Sequence, residues 1–281
     1  MKIKRYMKTK NYIVSAILLI SSVTASLQAQ ENQAANGFVP QVGQQGKDVV
    51  WVPTPQELVN KMLNIAKVTP DDYVIDLGSG DGRTVITAAK IGAKATGIEY
   101  NPDMVALSKE NAKKEGVGDK AEFIQADLYE TDLSKATVIT MFLLPEINLK
   151  LRPKLLDLRP GTRIVSNTFT MGEWEADQEV TTEENWNSWN TAYLWIIPAK
   201  VGGKWELGNE ELDLTQEFQF VKGTLKKGAR SVSITDGRIE GNSITFTAGN
   251  EKYSGTVGDK IIKGTVTDAS SGTKSDWIAT R

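Results

Sequence analysis

The sequence predicts an α/β domain built on a parallel sheet and followed by a small all-β domain. Three observations carry this expectation. Between residues 73 and 167 short apolar runs alternate with helical patterns, at the spacing of a sheet covered by helices on both faces. Glycines crowd the first strand-to-helix junction, VIDLGSGDGRTVI at residues 74–86. From Lys200 onward, strands of about five residues alternate with Asp-Gly, Gly-Asn, Gly-Asp and Ser-Gly turns, and no helical period is visible. A length of 281 residues with 40% hydrophobic and 24% charged side chains suits two globular domains.

The chain opens on a basic segment with Lys2, Lys4, Arg5, Lys8 and Lys10, an apolar run from Ile13 to Ile20, and then small residues. That order predicts a signal peptide over 1–29, cleaved after Ala25 or Ala29, and therefore an exported protein, periplasmic or extracellular. An uncleaved anchor is the alternative, but Ser21, Ser22 and Thr24 interrupt the run well short of the roughly 20 residues a span needs. With no cysteine in the chain, lipid attachment through one is excluded. Residues 30–49, rich in Gln, Asn and Gly, read as a flexible tether.

Order is expected from Trp51. In VPTPQELVNKMLNIAKV, Thr54 as N-cap, Pro55 at the first helical position and Glu57 make a capping box, and Leu58, Met62, Ile65 and Ala66 share an apolar face. Strands follow at 73–77, 95–98, 121–125, 137–143 and 163–167, with helices at 82–91, 102–115 and 147–156. A last strand, Thr191 to Ile197, ends at Pro198, so the α/β domain is placed at 50–198 and the all-β domain at 199–281. In the latter, Ile244 and Phe246 alternate with polar neighbours, as in a small barrel or sandwich with one face on a core.

Composition narrows the chemistry. Without histidine or cysteine the chain has no Ser-His or Cys-His nucleophile system and none of the usual zinc ligand sets. Removal of the leader leaves 28 basic against 35 acidic residues, a net charge of −7, which disfavours nucleic-acid partners.

The glycine-rich turn carries the functional signal. Asp76 closes the first strand, Gly78, Gly80 and Gly82 open the turn, and Glu99 closes the second strand 21 residues after Gly78, where it is placed to accept ribose hydroxyls. Two carboxylates, Asp76 and Asp81, flank the turn. A pyrophosphate would meet repulsion of about 3 kcal/mol per charge pair at about 5 Å and an effective dielectric of about 20. The helix N-terminus returns only about 0.3 to 2 kcal/mol. S-adenosylmethionine suits these charges better: it has no phosphate, Asp76 can meet its ammonium, and backbone N–H groups of the turn can receive its carboxylate.

VIDLGSGDGR followed by GIEYN and FIQADL resembles the class I S-adenosylmethionine-dependent methyltransferases, and the stretch from residue 51 to about 175 is similar to the lysine methyltransferases of the ATP synthase c-ring protein and their bacterial relatives. The resemblance implies a Rossmann-like sheet and an enzyme that methylates an amine, most readily a protein lysine. It places Asp76, Gly78, Ser79, Gly80 and Asp81 around the methionine moiety, Glu99 on the ribose with Tyr100 and Asn101 beside it, and Asp127 with Leu128 at the adenine edge. Asp127 has a second reading, as a turn aspartate or helix cap. Other open readings are a small-molecule or lipid methyltransferase and a non-catalytic exported binding protein that retains this fold.

The reacting end is expected at MFLLPE (141–146), with the carbonyls of Leu143 and Leu144 holding a neutral amine, Pro145 beside them and Glu146 as a further acceptor. For Glu146 a plain helix-start role is the alternative. Pro53 and Thr54 either fold over the site as a lid, as the resemblance suggests, or form a rigid lead-in to the helix. Trp174, Trp186, Trp189 and Trp195 fall within 22 residues and either pack across strands or cage a methylammonium.

Overall fold

The computed structural model describes residues 38–183 and 189–281. The leader at 1–29, residues 30–37 of the expected tether, and Trp186 lie outside the described residues. Seven strands form one sheet in the order β3-β2-β1-β4-β5-β7-β6. These are β1 (Tyr73–Leu77), β2 (Lys94–Glu99), β3 (Ala121–Gln125), β4 (Val138–Met141), β5 (Arg163–Asn167), β6 (Gln178–Thr181) and β7 (Thr191–Ile196).

Strand alternation divides the apolar side chains between two cores. Val74, Ala95, Val138 and Val165 face α1 (Gln56–Ile65), α2 (Arg83–Ile91) and α3 (Pro102–Lys114). Ile75, Leu77, Ile98, Ile139 and Ile164 face α4 (Pro145–Leu156) and the segment carrying Met171 and Trp174. The expected sheet with helices on both faces is present, but it is mixed: β7 runs antiparallel to both β5 and β6. A parallel pair needs a crossover helix, and among the described residues none lies between β5 and β7.

Two local expectations are corrected. Thr54 does not cap α1; Pro55 takes the N-cap position without a side-chain hydrogen bond. Tertiary partners claim Thr54 instead: its hydroxyl accepts from Asn167 Nδ2 at 3.2 Å and its carbonyl from Arg83 Nη1 at 2.9 Å. The tether reading also fails over its last residues. Residues 43–51 fold back as a hairpin, with the Gly43 amide donating to the Trp51 carbonyl at 2.8 Å and the Trp51 amide to the Gln44 carbonyl at 2.9 Å.

The all-β domain is a closed barrel, which decides between barrel and sandwich. Its strands are β8 (Gly203–Leu207), β9 (Glu210–Glu217), β10 (Phe220–Lys227), β11 (Arg230–Glu240), β12 (Ser243–Ala248), β13 (Glu251–Val257), β14 (Ile261–Asp268) and β15 (Lys274–Thr280). Each pairs antiparallel with the next and β15 closes on β8. Trp205, Phe246, Tyr253 and Trp277 are buried in its apolar core.

The β9–β10 turn reaches the sheet domain. Phe218 stacks on Trp174 at 5.7 Å between centroids, Gln219 Nε2 donates to the Glu175 carbonyl at 2.8 Å, and Arg238 pairs with Asp177 at 2.5 Å. Trp174 and Trp195 are fully buried, and Trp195 Nε1 donates to the Trp174 carbonyl at 2.8 Å, so these two tryptophans pack rather than bind. Trp174→Ala is expected to cost about 3 to 5 kcal/mol, the usual penalty for emptying a buried tryptophan site, read as a lower urea midpoint.

Candidate cofactor and acceptor site

The turn after β1 is shaped by close approach. Gly78, Gly80 and Gly82 have φ of 75°, 54° and 83°, which L side chains adopt with strain. A Cβ on Gly80 would stand 2.6 Å from Trp51 Nε1, and one on Gly97 in β2 would stand 2.5 Å from Ser79 Oγ. The Gly78 and Ser79 amides donate to the Ile98 carbonyl at 2.9 and 3.1 Å. Glu99 spans the junction, accepting the Gly80 amide at 3.0 Å on one oxygen and the Asn101 amide at 2.9 Å on the other.

The two flanking carboxylates are in different states. Asp81 is paired with Arg83 at 2.6 Å, and the same guanidinium reaches Thr54. Asp76 is buried at the end of β1, opposite Gly97 and Thr140, and accepts the Thr140 hydroxyl at 2.6 Å. Burial, aided by the charges of Glu99 and Asp81, pushes the Asp76 carboxyl up to about 7. Ser79 Oγ beside it is buried without a hydrogen-bond partner.

These groups open into a cavity of about 400 Å³. Of the sequence-predicted residues, Asp76, Gly78, Ser79, Gly80, Asp81 and Glu99 line it, as do Tyr100, Asn101, Asp127 and Leu128. So do Leu143, Leu144, Pro53 and Thr54. Pro145 and Glu146 do not line it; both are exposed at the start of α4, and Glu146 occupies the first turn, where acids favour the helix dipole. The Asn101 side chain is committed to capping α3, accepting the Asp103 amide at 2.9 Å. Asp127 accepts the Tyr129 amide at 2.8 Å and the Lys47 ammonium at 2.6 Å, which hold its carboxyl below the usual range.

Sequence reasoning missed several lining residues: Lys47 and Trp51 from the hairpin, Arg83, Phe142, Phe169 and Trp189. Arg83 lies inside the glycine-rich motif, so its i, i+2 relation to Asp81 was a readable signal. Phe142 lies next to the singled-out leucines. Phe169 and Trp189 come from segments with no motif of their own.

The family profile described as the ANTKMT methyltransferase domain matches residues 76–178. A protein-lysine N-methyltransferase of Saccharolobus islandicus is 46% identical over 152 residues, covering 53% of this chain and 94% of that protein. The chain belongs to this methyltransferase family. The lysine N-methyltransferase of Rattus norvegicus that acts on the ATP synthase c-ring protein is 31% identical over 180 residues, covering 61% of this chain and 77% of that one. A crystal structure described as an RNA methyltransferase from Salinibacter ruber, in complex with S-adenosyl-L-homocysteine, is 49% identical. It covers 53% of this chain and 96% of its own, with a TM-score of 0.51.

The methyltransferase uses S-adenosylmethionine, and its residues fit that group. The buried carboxylate of Asp76 suits an ammonium, the unpartnered Ser79 hydroxyl and the turn amides suit a carboxylate, and Glu99 keeps free lone pairs for ribose hydroxyls. Bound there, the group supplies an electrophilic methyl on a sulfonium. The protein's part is to align the acceptor and exclude water, since an in-line displacement needs no further acid or metal.

Two outcomes are expected. Gly80→Ala, with its Cβ driven into Trp51, abolishes S-adenosylhomocysteine binding in calorimetry while the fold persists by circular dichroism. The second concerns pH. A carboxyl raised to about 7 binds more protons native than unfolded between its ordinary value near 3.8 and about 7, so the ligand-free protein loses stability as pH rises through that window. An ammonium prefers the ionised Asp76, so cofactor affinity falls about tenfold from about pH 8 to pH 6, and Asp76→Asn flattens that dependence.

Proposed function

We propose that the methyltransferase acts on the ε-amine of lysines in proteins and that it does so after export. The lysine reading is supported by the activity named for the Saccharolobus islandicus relative, 46% identical across nearly its whole length. It is also supported by the acceptor side of the cavity, where Leu143, Leu144, Ile147 and Phe142 contribute no charged side chain. Such a lining desolvates an ammonium and favours the neutral amine that the displacement requires. A second reading, RNA as acceptor, is favoured by the description of the Salinibacter ruber structure, while the acidic balance of the chain works against a polyanion.

Export rests on the basic-apolar-small order of residues 1–29. Among the described residues no helix is long and apolar enough to cross a membrane.

Incubation of the purified protein with methyl-labelled S-adenosylmethionine and envelope or cytosolic extract tests the acceptor. Label that protease releases as methyl-lysine supports the reading, and label that ribonuclease releases overturns it. Cell fractionation tests the location: the full chain is expected outside the cytoplasm in a shortened form, and deletion of residues 2–29 is expected to retain it inside.

A further inference from the structure

The acceptor side of the cavity ends in three aromatic rings. Phe142, the residue after β4, lies 6.1 Å from Phe169 between centroids, with the rings 22° from parallel, and 6.0 Å from Trp189 at 64°. All three line the cavity beside Leu143 and Leu144. They come from positions 27 and 20 residues apart, so their meeting is a product of the sheet order.

Phe169 is set there by a costly backbone. Thr168, a β-branched residue, has φ of 64°, and the Phe169 amide donates to the Asn167 carbonyl at 2.7 Å across it, closing a three-residue turn. Strain of this kind persists only where the surroundings over-determine it. Here the Thr168 amide donates to the Thr191 carbonyl at 2.7 Å, and Asn148 Nδ2, from buried α4, donates to the Phe169 and Thr170 carbonyls at 3.2 and 3.3 Å. Beyond it, the segment through Trp174 and Glu175 is braced by Phe218 and Gln219 of the barrel. An aromatic packing residue with no ligand would not need this.

We propose that Phe142, Phe169 and Trp189 form a subsite for a methylated ammonium, so that one lysine receives successive methyl groups. The inference rests on the lysine reading above. In each round the neutral amine gives its lone pair to the methyl carbon, the carbon–sulfur pair stays on sulfur, and the amine proton passes to water before the next round. An unmethylated ammonium is strongly hydrated and loses most on entering an apolar site, so it enters as the free amine. Each added methyl weakens that hydration, and ring faces within about 6 Å then hold the cation. The partly methylated product stays for another transfer.

Two measurements test this on the full-length protein. First, a peptide bearing trimethyl-lysine and its uncharged tert-butyl isostere are titrated in the presence of S-adenosylhomocysteine. The cation is expected to bind about five- to tenfold tighter, a difference that Phe169→Leu removes and Phe169→Tyr keeps. Second, product mass spectrometry on an unmethylated lysine peptide is expected to show di- and trimethyl forms from the wild type. Phe169→Leu and Phe142→Leu should stop largely at monomethyl, with S-adenosylhomocysteine affinity unchanged. Equal binding of cation and isostere, or an unchanged product distribution in the leucine variants, overturns the subsite and leaves the lysine reading intact. Label transferred to RNA and to no peptide overturns both.

Discussion

Glu99 joins the two strands that build the cofactor side of the cavity. One of its oxygens accepts the Gly80 amide and the other the Asn101 amide, so the glycine turn and the start of α3 are set by a single carboxylate. That tie requires β1 and β2 to approach closely at their carboxyl ends, which Gly97 opposite Ser79 permits. It also fixes the local charge. Asp81 is neutralised by Arg83 and Glu99 is held by amides, while Asp76, between them in space, is offered only the Thr140 hydroxyl. Its raised carboxyl is the electrostatic consequence, and a ligand carrying an ammonium relieves it.

The acceptor side is made by a different principle. No charged group defines it; it is an apolar and aromatic surface held in place by hydrogen bonds behind it, from Asn167 to Thr54 and from Asn148 to the turn at Phe169. The segment 52–54, read either as a lid or as a rigid lead-in, is bonded to both Arg83 and Asn167. The hairpin at 43–51 covers the opposite end, where Lys47 meets Asp127 and lies 4.7 Å from the Tyr100 ring.

The barrel contributes through its surface and not through a lumen, since its interior is filled by Trp205, Phe246, Tyr253 and Trp277. Its β9–β10 turn grips the segment that follows Phe169, with Phe218 between Trp174 and the Arg152 guanidinium. A domain that looked like an appendage thereby braces the acceptor wall.

Local pattern along the chain determined the strand and helix order from β1 to β5, the glycine turn, and the placement of Asp76 and Glu99 at strand ends. Those features depend on neighbours within about twenty positions, and periodicity reports them directly. The match to a methyl donor followed from charge alone, because Asp76 and Asp81 oppose a phosphate wherever the rest of the chain lies. Tertiary structure alone decided what crosses long separations: the antiparallel return of β7, the closure of the barrel, Trp51 against Gly80, and the grouping of Phe142, Phe169 and Trp189. It also reversed the reading of Thr54. A capping box satisfies a threonine locally, but Asn167 and Arg83, 113 and 29 residues away, offer the same oxygen atoms partners in a buried site. Which partner wins is a matter of packing, and no window of sequence contains it.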